Sequence, residues 1–370
     1  MRPVWAEVNL SSIAHNFQEI RRVIPKPTKV MAIVKANAYG HGAVPVARKI
    51  LEAGADYLGV ALLAEAIELR ENGINAPLLI LGYTPEEEYP TVIKKAITQT
   101  IFSYKQAKVL SKIAEAINVP AKVHIKIDTG MGRIGFKPVH ETIREIKAIS
   151  RLPLEIEGLF THLAKADAKD KTFSRLQLER FLWVCQEVLK AGVTVKLRHI
   201  ANSAGIIDMP ETHLDLVRPG IMLYGLYPSK EVNKEKVKLQ PAMSLKTRIV
   251  HLKEVEAGTG IGYGCTYVTR GPALIATLPI GYADGYSRLL SNKGMALVRS
   301  RKVPLVGRIC MDQCMLDVSG VEAVVTGDEA VLFGQQGNTV ISIDEVAARA
   351  QTIIHEIVCK VSNRVPRIYI

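Results

Sequence analysis

Over residues 29–217, short apolar runs alternate with stretches whose apolar residues recur every three or four positions. The runs lie at 29–34, 57–62, 77–81, 99–102, 122–127, 154–160, 196–201 and 214–217. Short continuous apolar runs bounded by turn residues read as strands buried on both faces, and the three-to-four spacing reads as amphipathic helix. Helix-period segments fall at 44–53, 64–72, 105–117, 140–149 and 172–191. Several of these close on Gly54, Gly73, Asn118 or Gly192, residue types that end helices. Eight such strands alternating with helices predict a (β/α)8 TIM-type barrel. A doubly wound open sheet competes, and spacing does not separate the two. No Gly-x-Gly-x-x-Gly follows the first of these strands, which weakens a dinucleotide reading.

Ahead of the barrel, 4–10 reads as a strand, and Ser11 is placed to cap a helix running to about residue 23. Beyond Tyr224 the texture changes. A charged stretch, 228–240, lies between prolines and reads as a linker. Short strands follow at 242–250, 273–279, 295–298, 302–306, 313–317 and 330–333, with turn residues between them and one helix near 343–351. The expected division is a barrel over 1–237 and a mostly β C-terminal domain over 238–370.

The chain has 370 residues, 48% of them hydrophobic and 23% charged, an ordinary soluble composition that can bury a substantial core. Net charge is +12, but Lys and Arg are interspersed with Glu along the helical segments, and no nucleic-acid motif accompanies them. No nucleic-acid partner is expected. Five cysteines, few and odd in number, point to a reducing compartment. Cys310 and Cys314 lack a second pair at metal-ligand spacing and read as alternating strand residues, so no metal is expected. The N-terminal residues lack a signal-peptide core, and no apolar run approaches the roughly 18 residues of a membrane span. A cytoplasmic protein with no membrane partner is expected.

The chemistry collects at the C-terminal ends of the barrel strands, the face on which barrel enzymes build their sites. Lys35 ends the first run, a costly place for a charge, where desolvation leaves a nucleophilic amine of the type that forms Schiff bases. Asp128-Thr-Gly-Met-Gly-Arg133 follows the fifth run, Thr161-His162 ends the sixth, Asn202-Ser203 follows the seventh and Arg218-Pro219-Gly220 the eighth. Singly, these read as a strand-end lysine, a turn aspartate, a helix cap and a surface arginine. Five at corresponding positions are hard to explain as caps. Ser203 and the Gly220 amide suit a phosphate, and a phosphate near such a lysine on a barrel points to pyridoxal 5′-phosphate.

Several stretches carry a more specific resemblance: Ala32-Ile-Val-Lys-Ala-Asn-Ala-Tyr-Gly-His-Gly42, Lys126-Ile-Asp-Thr-Gly-Met-Gly-Arg133, Thr161-His-Leu-Ala-Lys-Ala-Asp167 and Val217-Arg-Pro-Gly-Ile-Met-Leu-Tyr-Gly225. Gly262-Tyr-Gly-Cys-Thr-Tyr267, Pro279-Ile-Gly-Tyr-Ala-Asp-Gly285 and Val306-Gly-Arg-Ile-Cys-Met-Asp312 complete the set. Over nearly its whole length the chain resembles the alanine racemases of the fold III pyridoxal-phosphate family. The resemblance implies interconversion of L- and D-alanine, supplying peptidoglycan, by two proton carriers on opposite faces of the cofactor. Lys35 is implied for the D-enantiomer and Tyr263 for the L-enantiomer. A free tyrosine has a pKa of about 10, so a base role needs nearby positive charge, which the family supplies partly through His162. Tyr263 is implied to reach the site from a second subunit, making a homodimer with composite sites. The first strand, 4–10, is implied to pack with the second domain.

Arg218 is implied to face the pyridine nitrogen. Tyr39, Ser203, Gly220 and Ile221, beside Asn202, are implied at the phosphate, and His199 near the cofactor ring. Arg133, Met311 and Asp312 are implied at the substrate, Tyr282 at a narrowed entrance, and Lys126 as a lysine that can be carbamylated. One departure stands out. In Ser362-Asn-Arg-Val-Pro-Arg367, Asn363 occupies a position where the family commonly carries tyrosine. A wider, more polar pocket that also admits serine is therefore a competing expectation. A decarboxylase of basic amino acids and a non-catalytic pyridoxal-phosphate carrier are further rivals. The tyrosine in Ile261-Gly-Tyr-Gly264 weakens the first, and the full second domain weakens the second.

Overall fold

The computed structural model describes residues 2–370. It divides into two compact units. One holds residues 12–38 and 43–241, and the other holds the chain up to Ser11, residues 39–42 and residues 242–370. The N-terminal run forms β1 (Val4–Val8) and leads into a helix, Leu10–Val23.

In the first unit the apolar runs become β2 (Lys29–Ile33), β3 (Tyr57–Val60), β4 (Leu78–Ile80) and β5 (Thr98–Ile101). They continue as β6 (Ala121–Lys126), β7 (Leu154–Phe160), β8 (Leu197–His199) and β9 (Leu216–Val217). All are parallel, paired in the order β8-β7-β6-β5-β4-β3-β2-β9. The seam between β9 and β8 is drawn together by Asp215 N–H donating to Arg198 O (3.2 Å) and Arg218 N–H donating to Ala201 O (3.0 Å). The expected barrel is thus nearly closed, and the doubly wound sheet is excluded. β9 is shorter than the apolar run suggested, because Leu214 has a φ of 43°, in the left-handed region that breaks a strand.

The five expected barrel helices form, with a further one at Tyr89–Lys94, while the first helix begins at Leu10, so Ser11 lies inside it and does not cap it. The Tyr104–Ile117 helix starts where Ser103 Oγ accepts from Gln106 N–H (3.2 Å) and stops at left-handed Asn118. Its stripe of Ala107, Leu110 and Ala114 is buried.

The second unit is built on one large, mostly antiparallel sheet. Its strands are β10 (Met243–Arg248), β11 (His251–Val255), β12 (Gly260–Ile261), β13 (Tyr267–Val268), β14 (Ala273–Leu278) and β15 (Met295–Val298). β16 (Arg301–Val306), β17 (Cys314–Asp317), β18 (Glu329–Gln336), β19 (Thr339–Ile341) and β20 (Arg367–Tyr369) complete the unit, in which β12 and β13 pair with each other as a separate two-stranded sheet. The sheet runs β11-β14-β17-β16-β15-β18-β10-β1-β20, so β1 lies inside it, antiparallel to β10 and parallel to β20. Two expectations are corrected. Besides the Ile343–Arg349 helix a second one spans Ile354–Cys359. Cys310 does not alternate with Cys314 on a strand: β17 begins at Cys314, and Cys310 sits in a turn whose N–H donates to Gln313 O (2.9 Å).

Candidate active site

Lys35 follows β2, and the surrounding backbone fixes where that strand ends. Ile33 N–H donates to Pro219 O (3.0 Å), Val34 N–H to Gly59 O (2.9 Å), and the Tyr224 hydroxyl to Ile33 O (2.8 Å). The chain then turns left-handed for four consecutive non-glycine residues, Ala36, Asn37, Ala38 and Tyr39, with φ between 51° and 53°. Each such residue costs about 1–2 kcal/mol, so the turn must be held from outside. Ala36 N–H donates to Glu65 Oε1 (2.6 Å), and Asn37 Oδ1 accepts from Ala43 N–H (2.7 Å). Gly40 and Gly42 follow with φ of 81° and 97°; a Cβ at either would collide, with Val358 O and with the Tyr369 hydroxyl respectively.

After β6 the Asp128 carboxylate gathers four consecutive amides, those of Gly130, Met131, Gly132 and Arg133, at 2.8–3.1 Å. Burial opposes ionisation there, but the four donors hold the carboxyl below its ordinary value. The carboxylate is thereby spent on shaping the loop that carries Arg133.

Arg218, 4% exposed, is held from several sides. It donates to Thr161 O (2.7 Å), Ile200 O (3.1 Å), His199 Nδ1 (2.8 Å) and His162 Nδ1 (3.3 Å), and lies 5.5 Å from the Phe160 ring centre. Burial lowers its pKa to about 9, which leaves it a cation at neutral pH. His199 stacks on Phe160 with centroids 4.8 Å apart and rings parallel to 1°. Lys126, also buried, sits 5.1 Å from the same ring and donates to Ile127 O. Burial first, then Arg218, brings Lys126 down to about 7, with Asp128 opposing and Arg133 adding. His162 is driven well below its ordinary value by burial and then by Arg218, Lys126, Arg133 and Lys35 together. It is neutral, so positive charge beside it comes from Arg218 and not from the imidazole itself.

Beside this cluster, Ser203 Oγ accepts from Gly220 N–H (3.0 Å) and from Met222 N–H (3.4 Å), while Asn202 Oδ1 caps Gly205 N–H (3.0 Å). Ser203, Gly220 and Ile221 thus share one corner of the barrel's C-terminal end.

The remaining expected residues belong to the β unit. Tyr39 packs 6.2 Å from the His355 ring, and burial raises its phenol's pKa. Tyr263 is 70% exposed on a turn beside a groove of about 590 Å³, also lined by His251, Ile275, Thr277, Cys310 and Met315. A small apolar cluster of Ile261, Ile275 and Val306 supports that turn. Tyr282 N–H donates to Cys310 O (3.1 Å) and Ala283 N–H to Met311 O (3.1 Å). Arg364 donates to Asp312 (2.6 Å) and faces Asp284 (3.4 Å). Tyr282, Met311, Asp312 and the exposed Asn363 are therefore brought to one end of that unit.

Sequence reasoning passed over Glu65, which pins the left-handed turn, and the buried pair His124 and Glu157 behind Arg218. His124 and Lys126, two apart in an apolar strand and so on one face, were the available signal. Among the described residues no group of three or more His, Cys, Asp or Glu side chains could hold a metal, and no helix is long and apolar enough to cross a membrane.

A barrel whose C-terminal mouth gathers Lys35, Lys126, Arg133 and Arg218, with the Asp128 and Glu65 carboxylates committed to backbone amides, is an enzyme site for an anionic small molecule. The family model for the alanine racemase N-terminal domain matches residues 8–228, and that for the alanine racemase C-terminal domain matches residues 242–369. The chain belongs to the alanine racemase family. It is 52% identical to the alanine racemase of Clostridium tetani, covering all of this chain and 96% of that one. It is 50% identical to that of Methanococcus maripaludis, covering all of this chain and 99% of that one. The solved alanine racemase of Clostridium difficile 630 matches with a TM-score of 0.96 at 42% identity, covering all of this chain and 96% of that chain. The alanine racemase of Bacillus anthracis with bound L-Ala-P matches with a TM-score of 0.94 at 40% identity, covering all of this chain and 95% of that chain.

Proposed function

We propose that the protein interconverts L-alanine and D-alanine with pyridoxal 5′-phosphate as cofactor, as a homodimer with composite sites. The observation that carries this is the buried Arg218, held by His162, His199 and two carbonyls beside the Ser203–Gly220 corner, a standing positive charge at the barrel mouth that suits an anionic cofactor. The residues fit the cofactor. Lys35 would hold its aldehyde carbon, Ser203, Gly220, Ile221 and Tyr39 its phosphate, and Arg218 its ring nitrogen, with Asn202 and His199 shaping the pocket around them. When bound, the cofactor supplies an electron sink that acidifies the α-hydrogen of an amino acid joined to it.

The chain's own groups do the rest. Arg133 binds the substrate carboxylate, with Met311 and Asp312 at the substrate end. The Lys35 amine takes the α-proton from D-alanine and returns one to form it. Tyr263 does the same for L-alanine, its hydroxyl meeting neutral His162, which Arg218 in turn holds from behind. Arg218 would hold the ring nitrogen without surrendering its own proton, which would keep the electron sink weak and restrain side reactions. The exposure of Tyr263 supports its delivery from a second copy. The barrel binds the cofactor, the β domain from about residue 238 completes the partner's site, and Tyr282 narrows the entrance. Carbamylation of Lys126 would set an anion against Arg133. A cytoplasmic source of D-alanine for peptidoglycan is the role the family implies.

The test is proton exchange. L-alanine incubated in heavy water with the cofactor-loaded protein should reach equal D and L forms, with deuterium at Cα. Cofactor binding without exchange would overturn the assignment. Mixing inactive Lys35→Ala and Tyr263→Phe proteins should restore activity through hybrid dimers that keep one intact site; no recovery would overturn the composite dimer. A second reading, that serine is also a substrate, is favoured by Asn363, a small exposed amide beside the Arg364–Asp312 pair.

A further inference from the structure

We propose that Glu157, acting through His124 and His199, is a positioning residue for Arg218. The four side chains form one continuous chain of hydrogen bonds through the barrel interior. Arg218 Nη1 meets His199 Nδ1 at 2.8 Å, His199 Nε2 meets His124 Nδ1 at 2.8 Å, and His124 Nε2 meets Glu157 Oε2 at 3.2 Å. Both imidazoles are fully buried, and Glu157 nearly so.

Only one arrangement of protons satisfies every contact. Arginine donates and never accepts. His199 Nδ1 must therefore carry a lone pair, and its Nε2 the hydrogen. That hydrogen points at His124 Nδ1, which must also be bare, so His124 carries its hydrogen on Nε2 and donates to Glu157. All three bonds run the same way, from a guanidinium cation to a carboxylate, through two neutral rings. Reversing either ring would set two N–H groups against each other at 2.8 Å and push the Arg218 guanidinium off its partners.

Glu157 terminates the chain as a strong acceptor. It also receives the Tyr57 hydroxyl (3.2 Å) and the Thr98 hydroxyl (3.5 Å), and Lys122 stands 3.9 Å away. It borders a cavity of about 620 Å³ at the N-terminal ends of the strands, lined also by Lys94, Thr98 and Lys122. Arg218's other acceptors are two carbonyls and His162, none of them anionic. Glu157 thus provides, two rings away, the counter-charge that none of these acceptors provides. It holds the His124 hydrogen on Nε2 and so backs, from the far end, the His199 tautomer that the Arg218 contact requires. Its importance for catalysis rests on the proposal that Arg218 faces the cofactor ring.

The experiment is two-bond 1H–15N correlation on histidine-labelled protein, which separates the two neutral tautomers of each ring. In the native protein without cofactor, His199 and His124 should each appear as a single form with hydrogen on Nε2. Any other pattern overturns the proposal. In Glu157→Gln, which keeps the shape and removes the charge, His199 should become a mixture of tautomers. Glu157→Asp should restore a single form. In the loaded enzyme, Glu157→Gln should lower kcat by about tenfold with KM little changed, as expected when the support of a site residue is removed. A folded Glu157→Gln protein with an unchanged His199 tautomer overturns the proposal. Should Glu157→Gln not fold, His124→Phe, which cuts the chain at its middle, must release His199 into both forms, and an unchanged His199 there is equally fatal. The tautomer measurement needs neither cofactor nor turnover, so its failure and the failure of the racemase reading are separate events.

Discussion

Lys126 should be largely neutral at the pH at which an ordinary lysine is charged, and it should therefore take up carbon dioxide. Burial is the main cause, with Arg218 next, and together they bring the amine from 10.5 to about 7. At pH 8 about nine-tenths of such an amine is uncharged, against about 0.3% of an unshifted lysine, a gain of about 300-fold in the nucleophile. Attack of the amine on carbon dioxide forms a C–N bond and releases a proton, leaving a carbamate anion beside Arg133 and Arg218. Carbon-13 spectra of protein held in labelled bicarbonate should show one carbamate resonance that is lost in Lys126→Ala. The shift also has a stability consequence. The folded value lies below the unfolded one, so below pH 7 the protonated amine is buried at a cost of at most about 5 kcal/mol, and this cost fades as pH rises toward 10.5. Lys126→Met should accordingly stabilise the protein against urea by several kcal/mol at pH 6 and by much less at pH 10, without bicarbonate. No carbamate signal between pH 7 and 9, together with an equal gain at both pH values, would refute the reasoning.

The left-handed turn after Lys35 should be sensitive to side-chain shape. Ala38→Val, a β-branched residue at a buried site with φ of 53°, should cost about 2 kcal/mol or more in urea unfolding, whereas Ala36→Gly, at an exposed site, should be neutral or stabilising by up to about 1 kcal/mol. Asn363→Tyr should steepen the preference for alanine over serine in kcat/KM; an unchanged ratio would remove Asn363 from the specificity argument. Arg218→Glu, which puts a group able to carry a transferable proton opposite the ring nitrogen, should add measurable transamination, read as pyruvate formed from alanine. Its absence would count against restraint by Arg218.

The barrel was legible because its strands are buried on both faces. Val30 to Ile33, Leu78 to Ile80 and Leu58 to Val60 appear as unbroken apolar runs for that reason. The strands that escaped notice are exposed or short. His251, Lys253 and Glu254 leave β11 with no apolar alternation to read, and β12 and β13 have two residues each. The motif residues Lys35, Arg133, His162 and Arg218 were legible as types at strand ends, and their convergence on one imidazole required the closed barrel. The left-handed run had no sequence signal, since of its four residues only Asn37 belongs to a type that tolerates that conformation. It forms because tertiary hydrogen bonds from Glu65 and Asn37 outweigh a local preference, and a local reading weighs only the latter.

The same distinction governs the charges. A reading by hydrophobic pattern treats Lys126, His124 and Glu157 as interruptions in buried strands, and each taken alone is costly. Inside the barrel they divide into two kinds. His124 and Glu157 have nearly all their polar atoms answered by other protein groups, which suits them to hold something still. Arg218 and Arg133 bring standing positive charge to the mouth, Lys126 loses most of its own above pH 7, and Asp128 commits its carboxylate to the loop that carries Arg133. Buried polar groups that satisfy one another stabilise a unique core, whereas like charges held close together raise the energy of the empty site. That repulsion is relieved when an anionic ligand arrives. The electrostatic strain at the mouth and the fully hydrogen-bonded network beneath it are two parts of one device: the second holds the first in place until a ligand supplies the missing charge.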